Sequence, residues 1–205
     1  MPKITALLCH TARKSTCTKN TPRWQLLWWM LGGAAAVLLC AVPLSIARLA
    51  GYEINLSASM PIGIYELTED RIGIGQMVAV CLPSAIARIG RERGYLRSGP
   101  CASGDQAVVK HVAGMAGDTI EVQPIGVTIN GTAIPNSAVM ERDRAGRPLA
   151  HVPWGTTTLQ HGELWLMSTL QPNSWDSRYF GPVQFADVMV AVRPVFVTPH
   201  AGGSE

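Results

Sequence analysis

The sequence predicts a mainly β domain carried behind a single membrane-spanning helix, and three observations support this. Leu26 to Ala47 is a run of 22 residues without a charge. Beyond it the apolar residues come in short runs cut by Gly, Pro and Asn, as strands and turns would be. No long amphipathic helical stretch follows the span. With 205 residues and 47% hydrophobic composition, the chain can bury one core and little more, so one folded domain is expected.

The span comes first along the chain. At ~1.5 Å rise per residue its length covers a hydrocarbon core of ~30 Å. Trp24, Trp28 and Trp29 stand at its start, where an interfacial aromatic belt lies, and Pro43 near its far end is tolerable in a membrane helix. Residues 1 to 50 carry six cations and no acid, whereas the rest carries eleven cations against fourteen acids. Five of the six (Lys3, Arg13, Lys14, Lys19 and Arg23) precede the span, and positive charge stays on the cytoplasmic side. The predicted organisation is a cytoplasmic basic tail over 1–23, a transmembrane anchor over 24–50 and an exported domain over 51–205. With a span behind it, the basic tail fits a lipid surface rather than nucleic acid. A cleaved secretory signal is the competing reading, with Ser45-Ile46-Ala47 as its cleavage site, but such an apolar region is usually only ~7 to 15 residues long.

Five cysteines fit this layout: Cys9 and Cys17 in the tail, Cys40 in the span, and Cys81 and Cys101 in the exported domain, where disulfides persist. A Cys81–Cys101 bridge would close a loop holding Arg88, Arg91, Arg93 and Arg97, and would contribute ~3 kcal/mol by chain entropy. Two buried thiols are the alternative. Neither cysteine has a Cys or His at ligand spacing, so no metal site is expected, and His111, His151 and His161 are read as structural.

After the span, Asn55 to Tyr65 presents small hydroxyl residues beside a turn read as held by Pro61 and Gly63, and Tyr65-Glu66-Leu67 continues as a short extended piece. Gln76 to Leu82 and Ala107 to Val112 read as buried strands. Thr119 to Val122, Val127 to Ile129, Leu164 to Met167 and Val188 to Val197 read as further strands, and Asn130-Gly131 marks a two-residue hairpin. Ser84 to Arg91 suits a helical turn or two in an exposed excursion from the sheet, and Met140 to Pro148 an exposed charged loop.

Lys110 carries the chemistry. It is the only lysine after Lys19, and it lies inside the run Ala107-Val108-Val109-Lys110-His111-Val112. Burial there disfavours the ammonium form and leaves a neutral amine able to act as a base; a lysine snorkelling from a strand edge is the plainer alternative. Ser59 needs such a base, since a serine hydroxyl is a poor nucleophile until its proton is removed. A Ser/Lys pair is a known variant of triad logic. Taken alone, Asp176-Ser177-Arg178 reads as an ordinary turn with a surface ion pair worth under ~1 kcal/mol.

Three ordered blocks resemble those of type I signal peptidases: Ser57-Ala58-Ser59-Met60-Pro61, Val109 to Asp118, and Asn173 to Gly181. The short form Ser-Met-Pro-Ile-Gly-Ile-Tyr, with the cysteine pair around Arg93-Gly94-Tyr95, is similar to the TraF branch, the conjugative-transfer peptidases. The resemblance implies a signal-peptidase-like β-barrel or sandwich in the periplasm, anchored in the bacterial inner membrane and working without a cofactor. It makes Ser59 the nucleophile and Lys110 its general base. Ser57 would line the oxyanion hole, Ser174 would orient the lysine, and Asp176 with Arg178 would shape the site, a more direct catalytic part for Asp176 being left open. Where leader peptidases have Gly-Asp-Asn before the third block, this chain has Ser168-Thr169-Leu170, which points away from ordinary secretory precursors. The branch implies a pilin precursor as substrate, other conjugation proteins as neighbours, and either hydrolysis or closure onto the pilin's own amino group. The rivals are a general signal peptidase acting on signal-peptide-bearing proteins and a non-catalytic pilus assembly factor.

Overall fold

A computed structural model describes residues 23–55 and 60–198. The basic tail with Cys9 and Cys17, and the two hydroxyl residues Ser57 and Ser59, lie outside the described residues. Helix α1 (Arg23–Leu49) contains Pro43, and its Leu27–Leu49 portion of 23 residues is long and apolar enough to cross a membrane. By length and composition it is compatible with a retained anchor or with a signal sequence.

The second compact unit begins at Ile46, and beyond the end of α1 its described residues form β-strands with two short α-helices and one 3-10 turn, Phe185–Asp187. In chain order it comprises β1 (Tyr52–Asn55), β2 (Gly63–Thr68), β3 (Met77–Val80), α2 (Ser84–Glu92), β4 (Val108–Gly114), β5 (Thr119–Gln123), β6 (Gly126–Ile129) and β7 (Thr132–Ala133). Then follow β8 (Gly155–Thr158), β9 (Glu163–Met167), α3 (Ser177–Phe180), β10 (Val183–Gln184) and β11 (Val188–Val197). A seven-stranded sheet runs β1-β2-β11-β3-β4-β9-β10, and a four-stranded sheet runs β7-β6-β5-β8.

Alternation along β9 ties two cores together. Trp165 and Met167 belong to a cluster with Ile120, Val122 and Tyr179, whereas Leu164 and Leu166 belong to one with Val78, Val80 and Val112. Opposite faces of one strand thus serve both clusters, as a period of two requires. Trp175 packs against both. The β6–β7 hairpin turns on Asn130 and Gly131, both at positive φ, which suits the twist of a two-residue loop.

Gly63 was expected to shape a turn, but it is the first residue of β2 and pairs with Asn55 on one side and Val197 on the other. A Cβ there would sit 2.1 Å from the Phe196 carbonyl oxygen and 2.7 Å from Val197 Cα, so the close approach of β11 requires glycine. The excursion after β3 is also more than an exposed loop. A disulfide joins Cys81 to Cys101, α2 buries Ala87 and Gly90, and Arg91 pairs with the buried Asp105.

Candidate active site

Strand β4 is built so that one cation faces inward. Its buried positions are Lys110, Val112 and Gly114, each two apart, and Lys110 is only 4% exposed. The strand is not an edge: β3 pairs with its first half, Val78 opposite Lys110, and β9 pairs from His111 onward. Burial therefore governs the amine and pulls its pKa down to about 8, against the opposing pull of the Asp176 carboxylate and with help from Arg178. At pH 7 about a tenth of such amines are neutral, where an ordinary lysine would have roughly 0.03%. Neighbouring His111 is likewise held low, first by burial and then by the Lys110 charge.

Lys110 and Ser174 both line a cavity of about 470 Å³. Ser174 is buried, and its hydroxyl has no hydrogen-bond partner among the described residues. Behind it lies the pair Asp176–Arg178. Arg178 Nε donates to Asp176 Oδ1 at 2.8 Å, and its terminal nitrogens donate to Asp176 Oδ2 at 2.8 Å, the Ala138 carbonyl at 2.7 Å and the Ser174 carbonyl at 3.0 Å. Four of five guanidinium N–H groups are thus used, and neither side chain is exposed to any degree. The surface ion pair expected of these residues in isolation is overturned: Asp176 also caps α3 through the Arg178 backbone N–H and accepts the Ser168 N–H at 3.3 Å, which draws both residues into the core.

Several residues that shape the site were given no role by the sequence. Asn55 Nδ2 donates to the Met60 and Pro61 carbonyls at 3.3 and 3.0 Å, and the Tyr65 hydroxyl donates to the Pro61 carbonyl at 2.7 Å. The chain is therefore clamped on both sides of residues 56–59, with Met60 fully buried. Tyr95, from the disulfide excursion, donates its hydroxyl to Asp143 Oδ2 at 2.6 Å and meets the Trp175 ring at 5.2 Å. The loop between Met140 and Pro148, read as merely exposed, lines the cavity through Arg142, Asp143, Arg144 and Arg147. The sequence signals for these residues were the charge cluster over 141–147, the place of Tyr95 in the stretch between the two cysteines, and that of Asn55 and Tyr65 at the ends of the serine-bearing stretch.

The family described as "Signal peptidase, peptidase S26" matches residues 25–197. The chain belongs to that family. Among curated relatives, this S26 chain is 35% identical over 166 residues to "Plasmid transfer protein TraF" of Escherichia coli, covering 80% of this chain and 92% of the relative. It is 37% identical over 165 residues to "Conjugal transfer protein TraF" of Agrobacterium tumefaciens, covering 79% and 91%. A solved signal peptidase I from Enterococcus faecalis is 21% identical with a TM-score of 0.36, covering 60% of this chain and 98% of the solved one. Within this S26 chain the described site brings together Lys110, Ser174, Asp176 and Arg178.

Proposed function

We propose that this chain is a membrane-anchored serine endopeptidase of the conjugative-transfer type, with Ser59 as nucleophile and Lys110 as general base. The observation that carries the reading is the solitary lysine, nearly wholly buried on a central strand and opening onto a cavity, with burial holding its pKa at about 8. Lys110 Nζ takes the Ser59 hydroxyl proton as Oγ attacks the scissile carbonyl. The backbone N–H of Ser59 and the hydroxyl of Ser57 receive the oxyanion, each such donor worth ~10² to 10³ in rate. Lys110 then returns the proton to the leaving amine, and the Ser59 ester is resolved by water or by an amino group of the substrate. Ser174 orients the lysine, and the Asp176–Arg178 pair fixes the floor on which both stand.

The names of the relatives support a conjugation role, and within that role the proposed substrate is a pilin precursor. In the proposed layout, residues 1–23 are cytoplasmic, 24–50 anchor the chain in the inner membrane and 51–205 face the periplasm. Ser59 then works at the bilayer surface, beside other conjugation proteins.

The test is mass spectrometry of pilin from cells carrying the wild type, Ser59→Ala or Lys110→Ala. An uncut precursor in both variants supports the dyad, and a wild-type product lighter by one water marks cyclisation. Normal processing in both would overturn the peptidase reading in favour of a non-catalytic assembly factor.

A further inference from the structure

The cavity extends well beyond the buried lysine. From Lys110 back to Gln106 the chain lines its wall, in β4 from Val108 on, a stretch spanning at most ~13 Å. At that far end the Gln106 N–H donates to the Arg97 carbonyl at 2.7 Å, bringing the end of the disulfide excursion against the wall. Arg93, Arg142, Arg144 and Arg147 all line the cavity, and Asp143 is the one carboxylate lining it among the described residues.

That carboxylate is already committed. Asp143 Oδ2 accepts from Tyr95 and from Arg147 Nε at 2.6 and 2.7 Å, and Oδ1 accepts the backbone N–H groups of Ala145 and Arg147 at 2.9 and 3.0 Å. The Tyr95 hydrogen bond first, then the loop's donors, hold its carboxyl well below the usual range, so it stays ionised and structural. Arg147 is fixed as well, donating to the Arg93 carbonyl at 2.8 Å and lying 5.7 Å over the Tyr95 ring. Arg142 donates to the Gly146 carbonyl at 2.8 Å, and both Arg142 and Arg144 are exposed. One fixed negative charge among four guanidinium groups leaves a site of excess positive charge with planar donors, the geometry that takes a carboxylate in bidentate fashion.

We propose that this end of the cavity is a carboxylate subsite that receives an Asp or Glu side chain of the peptide substrate, about three to five residues from the scissile bond when the chain runs extended from Lys110. The inference rests on the peptidase reading above and adds to it an acidic substrate segment.

The test uses the full chain in detergent micelles, carrying Ser59→Ala so that binding is read without turnover. The probes are fluorescein-labelled dodecapeptides, alanine-rich and identical except for Glu, Gln or Lys at the fourth position on one side or the other of the central bond, followed by fluorescence anisotropy. The Glu peptide is expected to bind at least tenfold more tightly than the Gln peptide on one of the two sides, with the advantage shrinking as salt rises. In Arg142→Glu/Arg144→Glu, the Lys peptide should become the tighter ligand, a gain that a damaged fold cannot produce. Equal affinities, no binding of any peptide, or a charge-reversed chain that still prefers Glu would each overturn the subsite. Selectivity for Glu in a chain whose wild type leaves pilin uncut would sink the peptidase reading alone, whereas processing without selectivity would sink only the subsite.

Discussion

Beside Lys110, Asp176 and Arg178 are wholly buried and spend nearly all their hydrogen-bonding capacity on each other, on backbone N–H groups that Asp176 accepts and on backbone carbonyls that Arg178 donates to. On the wall of the same cavity Asp143 is enclosed, but its partners Arg93 and Arg147 keep 27% and 42% of their side-chain surface in solvent. One loop joins the two clusters: its start, Ala138, accepts from Arg178, and its tip holds Asp143 to Arg147. The same residue types therefore do different work. In the core, an ion pair withstands desolvation only with its partners in place, so it fixes geometry. At the rim, arginines outnumber the acid and their charge remains available to a ligand.

Removing the arginine from each cluster separates the two roles most clearly. Arg178→Ala leaves the Asp176 carboxylate buried without compensation, and a loss of ~3 to 5 kcal/mol is expected in denaturant unfolding. Arg147→Ala removes a half-exposed partner and should lower stability by less than ~1 kcal/mol. Comparable losses from the two substitutions would show that the clusters are not built differently.

The rim has a covalent support that the core pair lacks. Cys81–Cys101 closes the excursion that carries Arg93 and Tyr95 to the cavity. Cys101→Ser should cost about 3 kcal/mol, read from the shift of the denaturant midpoint against the oxidised wild type. An unchanged midpoint would mean that α2, the Arg91–Asp105 pair and the Tyr95 contacts hold the excursion unaided.

The two acids should also differ in what Lys110 feels. In the proposed dyad the neutral amine is the active form, so on that proposal substrate processing should fall about tenfold per pH unit below about 8, or ~1.4 kcal/mol of barrier per unit. The carboxylate of Asp176 raises the Lys110 pKa, so Asp176→Asn should move the midpoint of that limb to lower pH, while Asp143→Asn leaves it in place. Stability follows with a definite sign. Because the folded pKa lies below the ordinary 10.5, the unfolded chain binds more protons between about 8 and 10.5, and stability rises with pH across that window. Lys110→Met should abolish the rise, and a pH-independent midpoint in the wild type would argue against a buried amine.

Much of the fold could be read from local pattern. Val188 to Val197 is a strand over the whole predicted run, and the Asn130-Gly131 hairpin lies where turn chemistry puts it. Strand β8, Gly155–Thr158, is exposed throughout and has no apolar period to reveal it. The site was legible in part for the same reason. Lys110 stands out as the only lysine after Lys19 and lies in an apolar run, whereas Tyr95 and Asp143 meet across 48 residues through contacts that neither neighbourhood encodes. Burial of Asp176 and Arg178 was hidden likewise, since the groups that receive them, the Ala138 carbonyl and the Ser168 N–H, lie in other segments.

The smallest change tests whether the rim is a network or a set of separate contacts. Tyr95→Phe removes one hydroxyl and keeps the ring against Trp175, so the loss is one hydrogen bond to a carboxylate that has four other donors. About 1 kcal/mol of stability is expected to go, with the unfolding transition still cooperative. If Asp143→Asn costs the same and the double variant costs no more than either, Tyr95 and Asp143 act as one pair. If the losses add, Asp143 serves its loop independently of the excursion, and the rim would be two neighbouring turns rather than one support for the arginines.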